Sequence, residues 1–217
     1  MSLAVVLQVR QSRLQVLLWH RAREPFTGTW ALPGGVLVAG ETLEDSVRRH
    51  LEAKVDVREL AHLEQLGTWS RPDRNPVAWE IATAHLGVVP VSSDPGVPDD
   101  TSWHPVDALP ETAYDHGSIV LAGRNRLRAK LSYSNIGFAL ATPAFTLAEL
   151  RSVYVAALGY DVSATNLRRV LERRSVIEPT GSRRAPGRAG GRPAEEFRFR
   201  QWQLEITDPF AALKPPV

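Results

Sequence analysis

The chain has 217 residues, 43% of them hydrophobic, which suffices for one large core or for one medium and one small core; two domains are the better expectation. It contains no cysteine, which excludes disulfides, thiolate zinc sites and thiol nucleophiles, and no apolar run reaches the roughly 18 residues of a membrane span, so a cytoplasmic protein with no membrane partner is expected. The net charge of +2 hides an asymmetry: residues 1–135 carry 14 Lys+Arg against 16 Asp+Glu, residues 136–217 carry 12 against 8, and 166–200 alone holds ten Arg and four Glu.

In chain order, the apolar, β-branched stretches 4–9 and 14–19 predict a hairpin about Arg10-Gln11-Ser12-Arg13. A loop punctuated by Pro25 and Gly28 follows, and Trp30-Ala31-Leu32-Pro33-Gly34-Gly35 then leads into a helix. Thr42 starts that helix, Glu44 and Asp45 load its first turn with acid, and Val47 and Leu51 share one face. Strands are predicted at 62–69 and 77–86, separated by the turn Arg71-Pro72-Asp73-Arg74-Asn75-Pro76. The Pro/Asp-rich stretch 90–100 reads as a surface loop, and 117–131 as a helix closing a first domain, 1–135. Residues 136–145 are expected to be a linker.

The texture changes in 146–217. Thr146 and Glu149 form a capping box ahead of Leu147, Leu150, Val153, Tyr154, Ala157 and Leu158, a helical stripe that stops at Gly159. A second helix starts at Ser163 with Leu167, Val170 and Leu171 inward. Ile177 and the run 197–206 read as strands flanking a Gly/Arg-rich loop, 181–193. Two short helices followed by a basic hairpin make a helix-turn-helix with a wing.

Residues 35–57 resemble the Nudix box. Gly35, Glu41, Arg49, Leu51 and Val57 fall on its pattern, but the three glutamate positions hold His50, Ala53 and Lys54, and Asp56 stands where the late glycine belongs. Side chains at i, i+3 and i+4 share a helix face, and diphosphate hydrolysis uses such a carboxylate face to hold hard divalent cations. Ala53 offers no ligand and Lys54 places a positive charge on that face. Glu52 points away from it and Glu44 lies two turns earlier, so no catalytic residue and no metal ligand are assigned, and no cofactor is expected. What survives is the apparatus for holding a nucleotide. Gly34 and Gly35 let backbone approach a phosphate, Arg49 is expected to face the pocket, Trp30 or Trp69 can stack on a base, and Arg21 and Arg71 complete the candidate ligand-binding set. Taken singly, each tryptophan reads more readily as an ordinary core residue.

On the second helix, the inward set leaves Thr165, Arg169, Glu172 and Arg173 outward, with Asn166 and Arg168 at the flanks. Arg and Asn match guanine and adenine edges in a major groove. Arg183, Arg184, Arg188 and Arg192 on the wing are placed to reach phosphates or a minor groove. The degenerate box, Glu64-Gln65-Leu66, the run 71–76, Ala113-Tyr114-Asp115-His116, Phe145-Thr146-Leu147 and Gly191-Arg192-Pro193 together resemble the Nudix-related transcriptional regulators of NAD metabolism, over nearly the whole chain. The resemblance implies an α+β fold, a Nudix α/β/α sandwich with a mixed sheet followed by a small winged helix-turn-helix domain. It also implies ADP-ribose or a related NAD metabolite as effector, a homodimer on a palindromic double-stranded DNA operator, and repression relieved by the ligand. Two rival readings stay open: a Mg-dependent ADP-ribose-type pyrophosphatase with other metal ligands, and a module whose C-terminal part binds protein or RNA.

Overall fold

The computed structural model describes residues 1–185 and 193–208. The first hairpin is as expected but longer: β1 (Ser2–Arg10) and β2 (Arg13–His20) pair antiparallel, Leu7 opposite Val16. Short strands β3 (Trp30–Ala31) and β4 (Gly34–Gly35) precede helix α1 (Leu43–Val55), and β5 (His62–Trp69) and β6 (Ala82–Val88) follow it. The strand predicted at 77–86 therefore begins five residues later, because Val77, Trp79 and Ile81 are exposed in the connection rather than inside the sheet. Strand β7 (Thr101–Pro105) was not anticipated; its sequence, Thr-Ser-Trp-His-Pro, lacks an apolar alternation, yet it pairs with β2 along five residues. Helix α2 (His116–Tyr133) closes this half.

Among the described residues these strands form one mixed sheet, ordered β3-β2-β1-β6-β5, with β4 attached to β1 and β7 to β2; β1 and β6 run parallel and the other pairs antiparallel. The period-two alternation of β1 feeds two cores. Ala4 and Val6 pack with Val47, Leu51 and Val55 of α1, while Leu3, Val5 and Leu7 pack with Ile119, Val120 and Leu127 of α2. Two helices on opposite faces of one sheet make the α/β/α sandwich. Gly123 sets the closeness of α2: a Cβ there would lie 2.7 Å from Val5 Cγ1.

The C-terminal half has β8 (Phe145–Thr146), α3 (Leu147–Leu158), α4 (Ala164–Arg173), β9 (Ile177–Arg184) and β10 (Ala194–Phe199), with the three strands in the order β8-β10-β9. Both halves of the capping box form: Thr146 Oγ1 accepts from Glu149 N–H, and the Glu149 carboxylate accepts from Thr146 N–H at 2.8 Å. Gly159 ends α3 at φ 77°, the left-handed C-cap that favours glycine. The wing strand predicted at 197–206 is instead 194–199, and 181–184 belong to β9 rather than to a loop. Phe197 and Phe199 alternate inward and fix that register.

The segment expected as a linker is buried. A 3-10 turn at Ile136–Ala139 and residues 140 and 141 lie inside a core that runs from the first half into the second. The end of α2 is stitched to the end of the winged helix, with Asn135 Nδ2 donating to Gln203 O at 2.8 Å and Glu205 N–H donating to Asn135 Oδ1 at 2.7 Å. No helix of the described residues is long and apolar enough to cross a membrane.

Candidate functional site

Helix α1 presents positions 50, 53 and 54 beside the loop that follows β4. His50 is buried, its Nε2 lies 3.1 Å from Val36 O, and a Cβ on Gly35 would come within 2.5 Å of its ring. Ala53 is exposed and bears no donor atom. Lys54 Nζ donates to Gly34 O at 2.6 Å and lies 4.5 Å from the centre of the Trp19 ring, whose own Nε1–H donates to Leu32 O. An imidazole bonded to backbone, a methyl group and an ammonium do not make the oxygen-rich donor set of a hard divalent ion, and among the described residues no group of three His, Cys, Asp or Glu could hold a metal. Glu52 and Glu44 are engaged by Arg58 and Arg48.

Two expected ligand residues have other work in this structure. Arg49 was expected to face the pocket; it forks onto Glu41 (2.6 and 2.9 Å) and donates to Val36 O, and its guanidinium holds the Glu41 carboxyl down at about 2. Glu41 in turn accepts from Val38 N–H, so the pair braces the loop 36–41. Trp30 is wedged edge-on between His20 and His104, at 3.9 and 4.2 Å, and is half-buried. Gly34 and Gly35 also have packing reasons to be glycine: a Cβ on Gly34 would lie 2.2 Å from Ser2 O, where β4 joins β1.

A cleft of about 540 Å³ has walls that include Phe26, Trp69, Arg71, Arg74, Tyr114 and Asp115. Here the two runs singled out in the sequence, 71–76 and 113–116, come together. Arg74, with a side chain 1% exposed, forks onto Asp115 at 2.9 and 3.1 Å. Arg71 is exposed and paired with Asp73. Phe26 meets Tyr114 edge-on at 4.8 Å, and Arg21 lies 4.9 Å over the Tyr114 ring while donating to Pro25 O and Arg23 O. Two residues on, His116 accepts from Leu32 N–H at its Nδ1 (3.0 Å), which puts its proton on Nε2, a buried atom with no partner among the described residues. Burial pushes its pKa down to about 3, so the ring is neutral. Phe26, Tyr114, Arg74 and His116 escaped the candidate set; the signal for Tyr114, Arg74 and His116 was the opposite charge of Arg74 and Asp115 within those two runs, and Phe26 had none.

A narrower cavity of about 310 Å³ separates α2 from α3 and α4, lined by Leu131, Tyr154, Leu158, Leu167 and Arg174 among others. It is mostly apolar and contains no cluster of free cations among the described residues.

On α4, Thr165, Asn166, Arg169 and Arg173 are exposed, with Leu167 and Leu171 buried behind them. Arg169 donates to Asn166 Oδ1, and Arg173 has no ion pair among the described residues. Arg168 is half-buried over the Phe197 ring and bridges Glu172 and Glu195, so it fastens α4 to the wing. Arg184 bonds Glu196 and Glu149 and thereby ties β9 to the cap of α3, whereas its neighbour Arg183 is exposed without such a pair. Arg188 and Arg192 lie outside the described residues.

The family model of the NUDIX domain matches residues 2–122, more than half of the chain. The chain belongs to the NUDIX family. The NrtR DNA-binding winged helix domain matches residues 137–199, so a Nudix domain and a winged helix follow one another here. Across 92% of both chains, the structure superimposes with a TM-score of 0.77 and 31% identity on that of NrtR from Shewanella oneidensis complexed with a 27mer DNA. The Nudix domain of that NrtR complexed with ADP ribose matches 58% of this chain and 86% of its own, with a TM-score of 0.52 and 31% identity. In sequence, the chain is 28% identical to the ADPR-responsive transcriptional repressor of Acinetobacter baylyi, over 89% of this chain and 79% of the relative. The mixed sheet between two helices and the winged helix expected from the sequence are thus both present.

Proposed function

We propose that this chain is an effector-responsive, DNA-binding transcriptional regulator whose Nudix domain takes up ADP-ribose or a related NAD metabolite without hydrolysing it. The observation that carries the reading is Lys54: its ammonium, bonded to Gly34 O, stands on the helix face where a hydrolase keeps carboxylates, in a chain that continues directly into a winged helix. The effector's base has an aromatic cleft in Phe26, Trp69 and Tyr114. Arg169 and Arg173 on α4, with Arg183 on the wing, read duplex DNA, α4 lying in the major groove and the wing along phosphates. Two copies of the chain bind a palindromic operator with their α4 helices about one duplex turn apart, in the cytoplasm where the DNA is.

Helix α2 is the physical connection between the two activities. It begins at the cleft with Asp115 and His116 and spans about 27 Å for its 18 residues. It ends where Asn135 and Tyr133 hold the last described turn of the winged helix. An effector that moves the start of this rod relative to the sheet moves the winged helix, and relief of repression follows if the moved state fits the operator less well.

The test is a calorimetric titration with ADP-ribose, with and without Mg, combined with an assay for released AMP. Binding without AMP release is expected. Mg-dependent AMP release would establish a hydrolase instead.

A further inference from the structure

Lys54 is a half-buried cation with no carboxylate beside it among the described residues. Burial and the guanidiniums of Arg21, Arg23 and Arg49 all act on its ammonium in one direction, lowering its pKa. Of the three, Arg49 is neutralised by Glu41, while neither Arg21 nor Arg23 has an ion pair among the described residues. An ammonium has three protons to donate, and one of them goes to Gly34 O. Arg21 donates through Nε and Nη2 to backbone carbonyls, and the exposed Arg23 side chain makes no bond among the described residues. A half-buried cation with no carboxylate beside it is costly for the fold and is relieved by an anion.

The chemistry at position 54 explains which anion. A glutamate there would face the Gly34 carbonyl oxygen, and the two together would offer the oxygen donors of a hard divalent ion, which in turn attracts phosphates. The lysine brings its own positive charge to that spot. Arg21 joins this charge to the aromatic cleft, because its guanidinium lies over the Tyr114 ring. A diphosphate attached to a base is the anion that would engage such a cation together with an aromatic cleft.

We propose that Lys54, on the face of α1 beside Gly34, is a tethered cation site for the diphosphate of the effector, so that the Nudix domain binds its ligand without any divalent ion. This rests on the reading of that domain as a nucleotide sensor, and the experiment separates the two. The full chain and its Lys54→Met and Lys54→Arg variants are titrated calorimetrically in EDTA, and again in Mg, with inorganic pyrophosphate and with ADP-ribose. Both ligands bind the native chain in EDTA, and Mg changes the ADP-ribose affinity by less than about twofold. Loss of a charge-assisted contact in Lys54→Met weakens ADP-ribose by about tenfold or more, and Lys54→Arg restores most of the affinity. The far-UV circular dichroism of both unliganded variants, unchanged from that of the native chain, checks their fold. Binding of ADP-ribose that requires Mg, an unaltered affinity in Lys54→Met, or no binding of either ligand in EDTA overturns the proposal. Pyrophosphate bound through Lys54 while ADP-ribose is ignored would uphold the anion site and overturn the ADP-ribose reading.

Discussion

The positive charges of the Nudix half and those of the winged helix differ in whether they are matched. In the Nudix half Arg74, Arg49 and Arg48 each face a carboxylate, while the half-buried Lys54 has none beside it among the described residues and donates to Gly34 O. In the winged helix Arg168, Arg174, Arg184 and Arg198 are matched, and the unmatched Arg169, Arg173 and Arg183 are exposed along a helix and a strand. Matched arginines build the fold in both halves. We take the unmatched Lys54, Arg169, Arg173 and Arg183 as the candidates for binding, a small anion for the first and a long one for the other three.

The largest expected effect lies on the matched side. Arg74→Leu leaves Asp115 facing a vanished partner and costs about 3 kcal/mol in denaturant unfolding, as for other interior pairs broken on one side. A loss well under 1 kcal/mol would mean that the pair does not hold the two runs together. Acid comes next. The His116 pKa lies at about 3 in the folded chain, below its unfolded value near 6.5, so the unfolded state binds the extra proton first and stability falls as pH drops from about 6.5 toward 3. Between pH 7 and 4 the loss is on the order of 3 kcal/mol, and His116→Asn flattens that slope. The carboxylates of Glu41, held down chiefly by Arg49, and Glu64 add their share only below about pH 4.5. For Glu64, burial pushes the carboxyl up, but the approach of His62 at 3.3 Å and of Lys130 at 2.9 Å outweighs it and holds it at about 2.

On the unmatched side, Arg169→Ala and Arg173→Ala each weaken duplex DNA by about 1–3 kcal/mol in fluorescence anisotropy while the melting temperature and ADP-ribose affinity stay put. The smallest and sharpest contrast is between neighbours. Arg183→Ala lowers the salt dependence of DNA binding by about one phosphate contact without changing stability. Arg184→Ala does the reverse, loosening the wing by up to about 1 kcal/mol, a figure suited to its exposed pairs, with little effect on the salt slope. Equal salt slopes for the two variants would dissolve the distinction between matched and unmatched arginines.

Much of this was legible from the residues. Periodicity and caps place α1, α3 and α4, because Thr42, Thr146 and Ser163 each meet the N–H three residues on. Strand β7 was not legible, since its place depends on pairing with β2 rather than on its own pattern. The burial of 136–141 was hidden too, as nothing in Ile-Gly-Phe-Ala-Leu-Ala says which of two domains will cover it. At the site, the loss of the metal-binding carboxylates was visible letter by letter, but the partners of the arginines were not. Arg49 and Arg184 look identical in sequence to Arg173 and Arg183; only the approach of Glu41, Glu149 and Glu196 in space distinguishes them.

The central claim is that one chain couples a small anion in the Nudix domain to duplex DNA on the winged helix. Anisotropy of a labelled operator duplex, selected from a random pool on this protein, is to be followed in EDTA as ADP-ribose is added. The account predicts that the effector weakens the complex, and that saturating DNA weakens ADP-ribose by the same factor. DNA binding that is indifferent to ADP-ribose at concentrations saturating the Nudix domain would contradict it.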